Sequence, residues 1–290
     1  MKSQDKSQVR NFYDSVGWKL EADNFYQNAR YEDLRPVSSE YIHRCHLRVN
    51  RHLRRKGRFL LDAGSGPVQY PEYLTYSAEY DYRVCADISI LALLEARKRL
   101  GNKGLYVVAD VSYLPFKTDT FDSVVSLHTL HHLPKDDQKR AYRDIFRVMM
   151  PGAAAVIVNG WPTSIFMNRM SRLVGLMERF MGMFKHEQKV ETPVPAKDSE
   201  MVSSTPAVTG TFTERMDAAT IRVELPELKI DIRVWRSVSV RFLRAVIHPW
   251  LGGKLWLKLI YRLEERDPHH YGLIGQYPMI LIEKPKGSSS

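Results

Sequence analysis

Cysteine is almost missing from this chain: Cys45 and Cys85 are the only two among 290 residues. Two thiols cannot frame a disulfide-stapled fold, and the simplest setting is a reducing, cytoplasmic one. No Cys/His spacing resembles a zinc site, and no metal is expected. No run of 18 apolar residues occurs, so no helix is expected to span a bilayer. The opening MKSQDKSQVR lacks the apolar core of a secretory leader. No internal repeat is visible. Acid is also short, with 33 Asp and Glu against 43 Lys and Arg, a formal charge of +10. Such a balance speaks to anionic partners rather than to fold. The shortage is greatest in residues 43–58, HRCHLRVNRHLRRKGR, which hold no acid. On a helix, Arg44, Arg48, Arg51 and Arg55 would share one face, either solvated or binding phosphates.

What is present is ordinary globular material, 44% hydrophobic and 26% charged. Residues 1–58 read as a helical cap with polar joints. Apolar runs then alternate with helical patterns. RFLLDAG, YRVCADIS, GLYVVADV, FDSVVSLH and GAAAVIVNG read as five strands, with helices near Pro71, over SILALLEARKRLG and over KDDQKRAYRDIFRVM. That alternation argues for a parallel sheet with helices on both faces across 59–160. Residues 161–219 break it, first with a Met-rich apolar stretch and then with a Pro/Ser/Thr-rich segment, 186–210, expected to be a mobile loop. Residues 220–290 complete the core with strand ELKIDIRVWRSVSV, helix LGGKLWLKLIYRLEER and strand QYPMILIEKP. The terminal GSSS is set aside as a flexible end.

The stretch FLLDAGSGPVQYPEY, residues 59–73, carries most of the chemistry. Gly64 and Gly66 follow a strand, but Gln69 stands where a dinucleotide loop has its third glycine. Pro67 has no N–H to offer a pyrophosphate, and Pro71 fits best as the first helical residue. A cofactor without phosphates would not need those amides. S-adenosylmethionine has a cationic end that Asp62 can face, directly or through water, while Gly64 and Gly66 admit close backbone approach.

This stretch resembles motif I of the class I S-adenosylmethionine-dependent methyltransferases, with Val68 in place of the third glycine. Further places agree with the resemblance: Asp87 in CADIS, Asp110 and Val111 in VADVSYLPF, Phe121-Asp122 followed by LHHLP, and MMPGAAAVIV. LHHLP resembles a subgroup that includes ubiquinone and menaquinone biosynthesis C-methyltransferases and many small-molecule methyltransferases, and MMPGAAAVIV resembles the family's LKPGG turn before strand five. The resemblance is close over 59–160, in outline over 220–290, and absent over 161–219. It implies a Rossmann-like seven-stranded, mostly parallel sheet whose last hairpin places one strand antiparallel. It also implies cofactor contacts from Asp62, Ala63, Gly64, Ser65, Gly66, Asp87, Ile88, Asp110, Val111, Ser126 and Leu127. Asp87 would hold the ribose hydroxyls, and Asp110 and Val111 the adenine. Tyr13, in NFYDSVGW, would close over the methionine end or serve as a core aromatic.

Ligands of open α/β sheets lie beyond the strands' carboxyl ends. His128 is therefore the candidate general base, with a near-neutral pKa, or else a helix cap; His131 and His132 read as structural. Phe166, Met170, Val174, Met177, Met181 and Phe184 form a stripe that is either core or an acceptor lid. Basic, Trp-containing helix 251–266 adds a peripheral membrane contact to the readings. The expected acceptor is a small or lipid-like molecule. An RNA methyltransferase is the alternative from charge, a cofactor binder without turnover comes from another class, and a nucleotide-dependent oxidoreductase fits least.

Overall fold

The computed structural model describes residues 32–184 and 212–286. Tyr13 and the segment 186–210 lie outside the described residues. Seven strands form one sheet in the order β3-β2-β1-β4-β5-β7-β6. They are β1 (Gly57–Ala63), β2 (Tyr80–Asp87), β3 (Gly104–Val108), β4 (Phe121–Leu127), β5 (Met149–Val158), β6 (Ile230–Arg236) and β7 (Tyr277–Glu283). The first five are parallel, and β7 runs antiparallel between β5 and β6. The expected α/β sheet and its antiparallel strand are therefore present. Because β6 and β5 both oppose β7, the carboxyl end of β6 reaches the same edge as those of β1, β2 and β4.

Adjacent residues on the central strands feed opposite cores. Leu60, Val125, Val156 and Leu281 pack on one face, and Leu61, Val124, Ile157 and Ile282 on the other. This explains why the strands read as continuous apolar runs: both faces are buried. Each fully buried Leu or Ile contributes about 1.5–3 kcal/mol. Helix α1 (Ser39–Leu47), α2 (Pro71–Thr75), α3 (Ile90–Leu100) and α4 (Lys135–Val148) follow the expected pattern. Pro71 is the first residue of α2, Ser89 caps α3 by accepting from the Ala92 N–H, and Ala141, Ile145 and Val148 give α4 its core stripe.

Two expectations fail here. The basic segment 43–58 is not one helix, since α1 gives way to a 3-10 turn at Arg48–His52. Nor is it an arginine face. Arg48 is 2% exposed, pairs with Glu264 and Glu265, and donates to the Trp235 carbonyl. Arg51 pairs with Glu265, Arg44 with Glu40 and Arg54 with Asp122. Acids distant in sequence take up Arg48, Arg51 and Arg54, while Arg55, Lys56 and Arg58 stay exposed.

The Met-rich stretch does form a helix, α5 (Ile165–Phe184). The first half of its stripe packs inward: Val174 is buried, Phe166 meets Tyr271, and Phe166 and Met170 join the core. The remaining helices are α6 (Ala218–Glu224), α7 (Val240–Val246), α8 (Gly253–Arg266) and α9 (Pro268–Ile274).

Candidate active site

The loop after β1 turns sharply because Gly64 and Gly66 have φ of 77° and 52°. A Cβ on Gly64 would lie 2.1 Å from Thr129 Cγ2, so both backbone and space demand glycine there. Every amide from Gly64 to Val68 is already committed. The Gly64 and Ser65 N–H groups donate to the Ala86 carbonyl at 2.7 and 3.4 Å. The Gly66 N–H donates to Asp87 Oδ2 at 2.9 Å, and the Val68 N–H to the Ser65 carbonyl at 3.4 Å. Pro67 has none to give. A pyrophosphate would find no nest of amides.

A cavity of about 680 Å³ opens beyond the carboxyl ends of β1, β2 and β4. This is the point where the strand order reverses, the usual ligand crevice of such sheets. Gly64, Ser65, Gly66, Asp87, Ile88, Asp110, Val111, Leu127 and His128 all line it. Asp87 does two jobs, accepting from Gly66 at Oδ2 and from the Ser89 N–H at Oδ1, 2.8 Å, while forming part of the wall. Asp110 Oδ1 accepts from the Ser112 N–H and hydroxyl at 2.9 and 2.7 Å, which fixes the turn that carries Val111.

Three expected contacts are not on the wall. Asp62 does not line the cavity; its Oδ2 accepts from Arg83 Nε at 3.1 Å and Nη2 at 2.5 Å, and Arg83 is fully buried. A lone carboxylate inside the sheet would cost several kcal/mol, so the fold supplies its own cation. Arg83 Nη1 also donates to the Tyr73 carbonyl, so the pair ties β1 and β2 to α2. Ala63 is buried, and its carbonyl accepts from the Ser126 hydroxyl at 2.8 Å, which turns both residues away from the site.

His128 lines the cavity with φ of 56°. Its ring meets Trp235 and Tyr277 edge-on at 5.0 and 5.7 Å. Burial first, then the Arg236 cation and neighbouring histidines, pull its pKa from 6.5 down to about 3. The expected near-neutral base is instead a firmly neutral imidazole of low basicity. Burial lowers His131 and His132 too; His131 Nδ1 lies 3.3 Å from Asn159 Oδ1, and His132 Nδ1 lies 2.8 Å from the Phe212 carbonyl.

The far half of the cavity escapes a reading of the sequence. Glu32, His46, Gln69, Tyr70, Tyr73, Trp235, Arg236 and Tyr277 line it. Trp235 and Arg236 arrive because β6 ends at the same edge as β4, and the WR pair in IDIRVWRS was the available signal. Arg236 Nη1 donates to Glu32 Oε1 at 2.5 Å. No described residue of α5 or α8 lines the cavity, whereas Thr213 and Arg215, from the inserted stretch 161–219, do.

Residues 61–157 match the family model described as methyltransferase domain. The chain carries a methyltransferase domain. The ubiquinone/menaquinone biosynthesis C-methyltransferase of Haemophilus ducreyi is 30% identical over 138 residues, 45% of this chain and 52% of that protein. Its counterpart in Pasteurella multocida is 29% identical over 168 residues, 54% and 57% respectively. The chain thus spans about half the length of these curated relatives. Among solved structures, Synechocystis magnesium protoporphyrin IX methyltransferase with bound S-adenosylhomocysteine aligns at TM-score 0.53 and 16% identity. The match covers 97% of this chain and 100% of that one. The [4+2]-cyclase SpnF aligns at TM-score 0.53 and 16% identity over 97% of each chain. These two likenesses show the fold, a Rossmann-like sheet.

Proposed function

We propose that the chain transfers a methyl group from S-adenosylmethionine to a small-molecule acceptor. The observation that carries this reading is the loop after β1, whose amides are all taken while Asp87, Asp110 and Val111 line the adjoining cavity. That wall suits a nucleoside without phosphates. Asp87 would hold the ribose, the Asp110–Val111 turn the adenine, and Gly64, on the same wall, the methionine end. When bound, the cofactor supplies a methyl carbon made electrophilic by its sulfonium. The aromatic half of the cavity excludes water and orients the acceptor, a contribution worth several kcal/mol of barrier. The burial of Arg48 against Glu264 and Glu265 removes one arginine of the Arg44, Arg48, Arg51 and Arg55 face on which an RNA acceptor would rest.

The finer reading of a lipid-like acceptor draws on α8. Its exposed arc sets Leu255, Trp256, Leu259 and Leu263 beside Lys254, Lys258 and Arg262. That combination suits an anionic membrane surface. The test of the main reading is calorimetry followed by turnover. S-adenosylmethionine should bind and NAD should not, and labelled methyl should appear in a small metabolite. Tight NAD binding, or label appearing only in RNA, would overturn it.

A further inference from the structure

We propose that His46, held by Glu72, takes the proton from a hydroxyl-bearing acceptor as the methyl group arrives. The inference rests on the methyltransferase reading above. His46 is 1% exposed and lines the far half of the cavity. Its Nδ1 lies 3.4 Å from Glu72 Oε2, on the helix that follows the glycine loop. Burial raises the Glu72 carboxyl, but hydrogen bonds from His46 and His43 prevail and hold it at about 2. An ionised carboxylate facing Nδ1 keeps the ring proton on that nitrogen and leaves Nε2 as the bare, basic one. Stacking on Trp235 at 5.3 Å, with Tyr70 and Tyr73 at 4.7 and 5.2 Å, fixes the ring.

His46 Nε2 has no hydrogen-bond partner among the described residues, and neither do Gln69 Oε1, Trp235 Nε1 and Arg236 Nε. All four side chains line this one cavity. Buried polar atoms without partners are rare in folded proteins, and four at one site point to a polar occupant. Trp235 and Arg236 present N–H donors, which need oxygen lone pairs; Gln69 Oε1 and His46 Nε2 present acceptors, which need an N–H or O–H. A hydrocarbon would leave all four unpaired. An acceptor carrying hydroxyl and other oxygen groups pairs them.

His128, beyond Trp235, has no carboxylate behind it and is the weaker candidate. The titratable and charged groups around His46 are Glu72 from α2, His43 on its own helix, His128 across the indole, Tyr70 and Tyr73, Tyr76, whose hydroxyl donates to the His46 carbonyl, and the Glu32–Arg236 pair on the cavity wall. In the transfer, His46 Nε2 takes the hydroxyl proton while an oxygen lone pair forms the bond to the methyl carbon. The old carbon–sulfur bonding pair stays on sulfur, so the positive charge leaves sulfur and appears on the imidazolium. His46 then returns the proton to solvent. Glu72 acts through His46 and is a positioning residue.

The first test needs no acceptor. Nitrogen NMR of histidine-labelled protein, assigned with His46→Gln, should show His46 as the Nδ1–H tautomer. An Nε2–H tautomer in the parent overturns the proposal. In the second test, labelled S-adenosylmethionine is incubated with an extract of small metabolites to find the acceptor, and the product should be an O-methyl compound. His46→Gln should then lose at least a hundredfold in kcat while keeping cofactor affinity within threefold. Glu72→Gln should lose about tenfold, and Glu72→Asp should recover most of it. Parental turnover by His46→Gln, or label on an acceptor without a hydroxyl, overturns the proposal. Failure of the parent to bind S-adenosylmethionine in calorimetry overturns the methyltransferase reading itself, and the role of His46 with it.

Discussion

Single side chains decide whether this site holds together. Asp62 and Arg83 are a buried pair, and removing one partner strands the other. Arg83→Met should cost about 3–5 kcal/mol in urea unfolding, and the double change Asp62→Asn with Arg83→Met should recover much of that. Equal losses in both variants would mean that packing, rather than charge, ties β1 to β2. His128 gives a pH prediction. The native state keeps it neutral down to about 3, whereas the unfolded chain binds a proton below its ordinary 6.5. Its contribution is therefore intact above 6.5 and is lost as pH falls toward 3, by up to about 1.4 kcal/mol per pH unit. His131 and His132 are shifted in the same direction. His128→Asn, which suits the positive φ, should make the stability-versus-pH curve shallower by about that slope. A curve unchanged between pH 7 and 5 would refute the assignment. At this scale the sequence was partly legible. Asp87 and Asp110 announce themselves by following strands, but nothing local in FLLDAG reveals that Asp62 meets Arg83, because strand pairing makes that contact. His46 was hidden inside a charge run, and its partner Glu72 lies on another element.

Among the elements, α8 faces two ways. Leu257, Tyr261 and Glu264 face the core, where Glu264 accepts from Tyr41, Arg48 and Ser237. The other side exposes Leu255 at 71% and Trp256 at 57%, and Trp250, just ahead of it, lies 6.4 Å from Phe180 of α5. Vesicles containing a third phosphatidylglycerol should therefore bind the protein, with a blue shift in tryptophan fluorescence, and neutral vesicles should bind it less. Leu255→Glu with Trp256→Glu should abolish binding at unchanged melting temperature. A concentration-dependent dimer abolished by the same changes would instead assign this face to a second copy. The apolar stripe of α5 was readable as a helical period, but periodicity cannot say which neighbour receives it. Here it is α7 and the C-terminal elements, not the acceptor.

For the whole molecule, the order of strands and helices was legible because both-face burial writes each strand as an apolar run. The short helices α6, α7 and α9 were not, since seven residues are too few to establish a period. Ligand linkage should act on the fold as a unit. S-adenosylmethionine at a hundred times its Kd should add about 2.7 kcal/mol to the unfolding free energy, seen as a raised melting temperature. NAD at the same concentration should add nothing, and a rise with NAD would contradict the amide accounting around Gly64–Val68.

The place of β7 between β5 and β6 also constrains synthesis. Ile230, Ile232 and Val234 leave the ribosome as part of a strand whose only neighbour in the sheet among the described residues, β7, does not begin until Tyr277. At about 5–20 residues per second, β6 waits some seconds with an unpaired, apolar edge. Cells making this protein thus face a vectorial hazard in which nascent chains can pair with one another before their own last strand emerges. Slowing translation between β6 and β7 should lengthen that interval and lower the soluble yield.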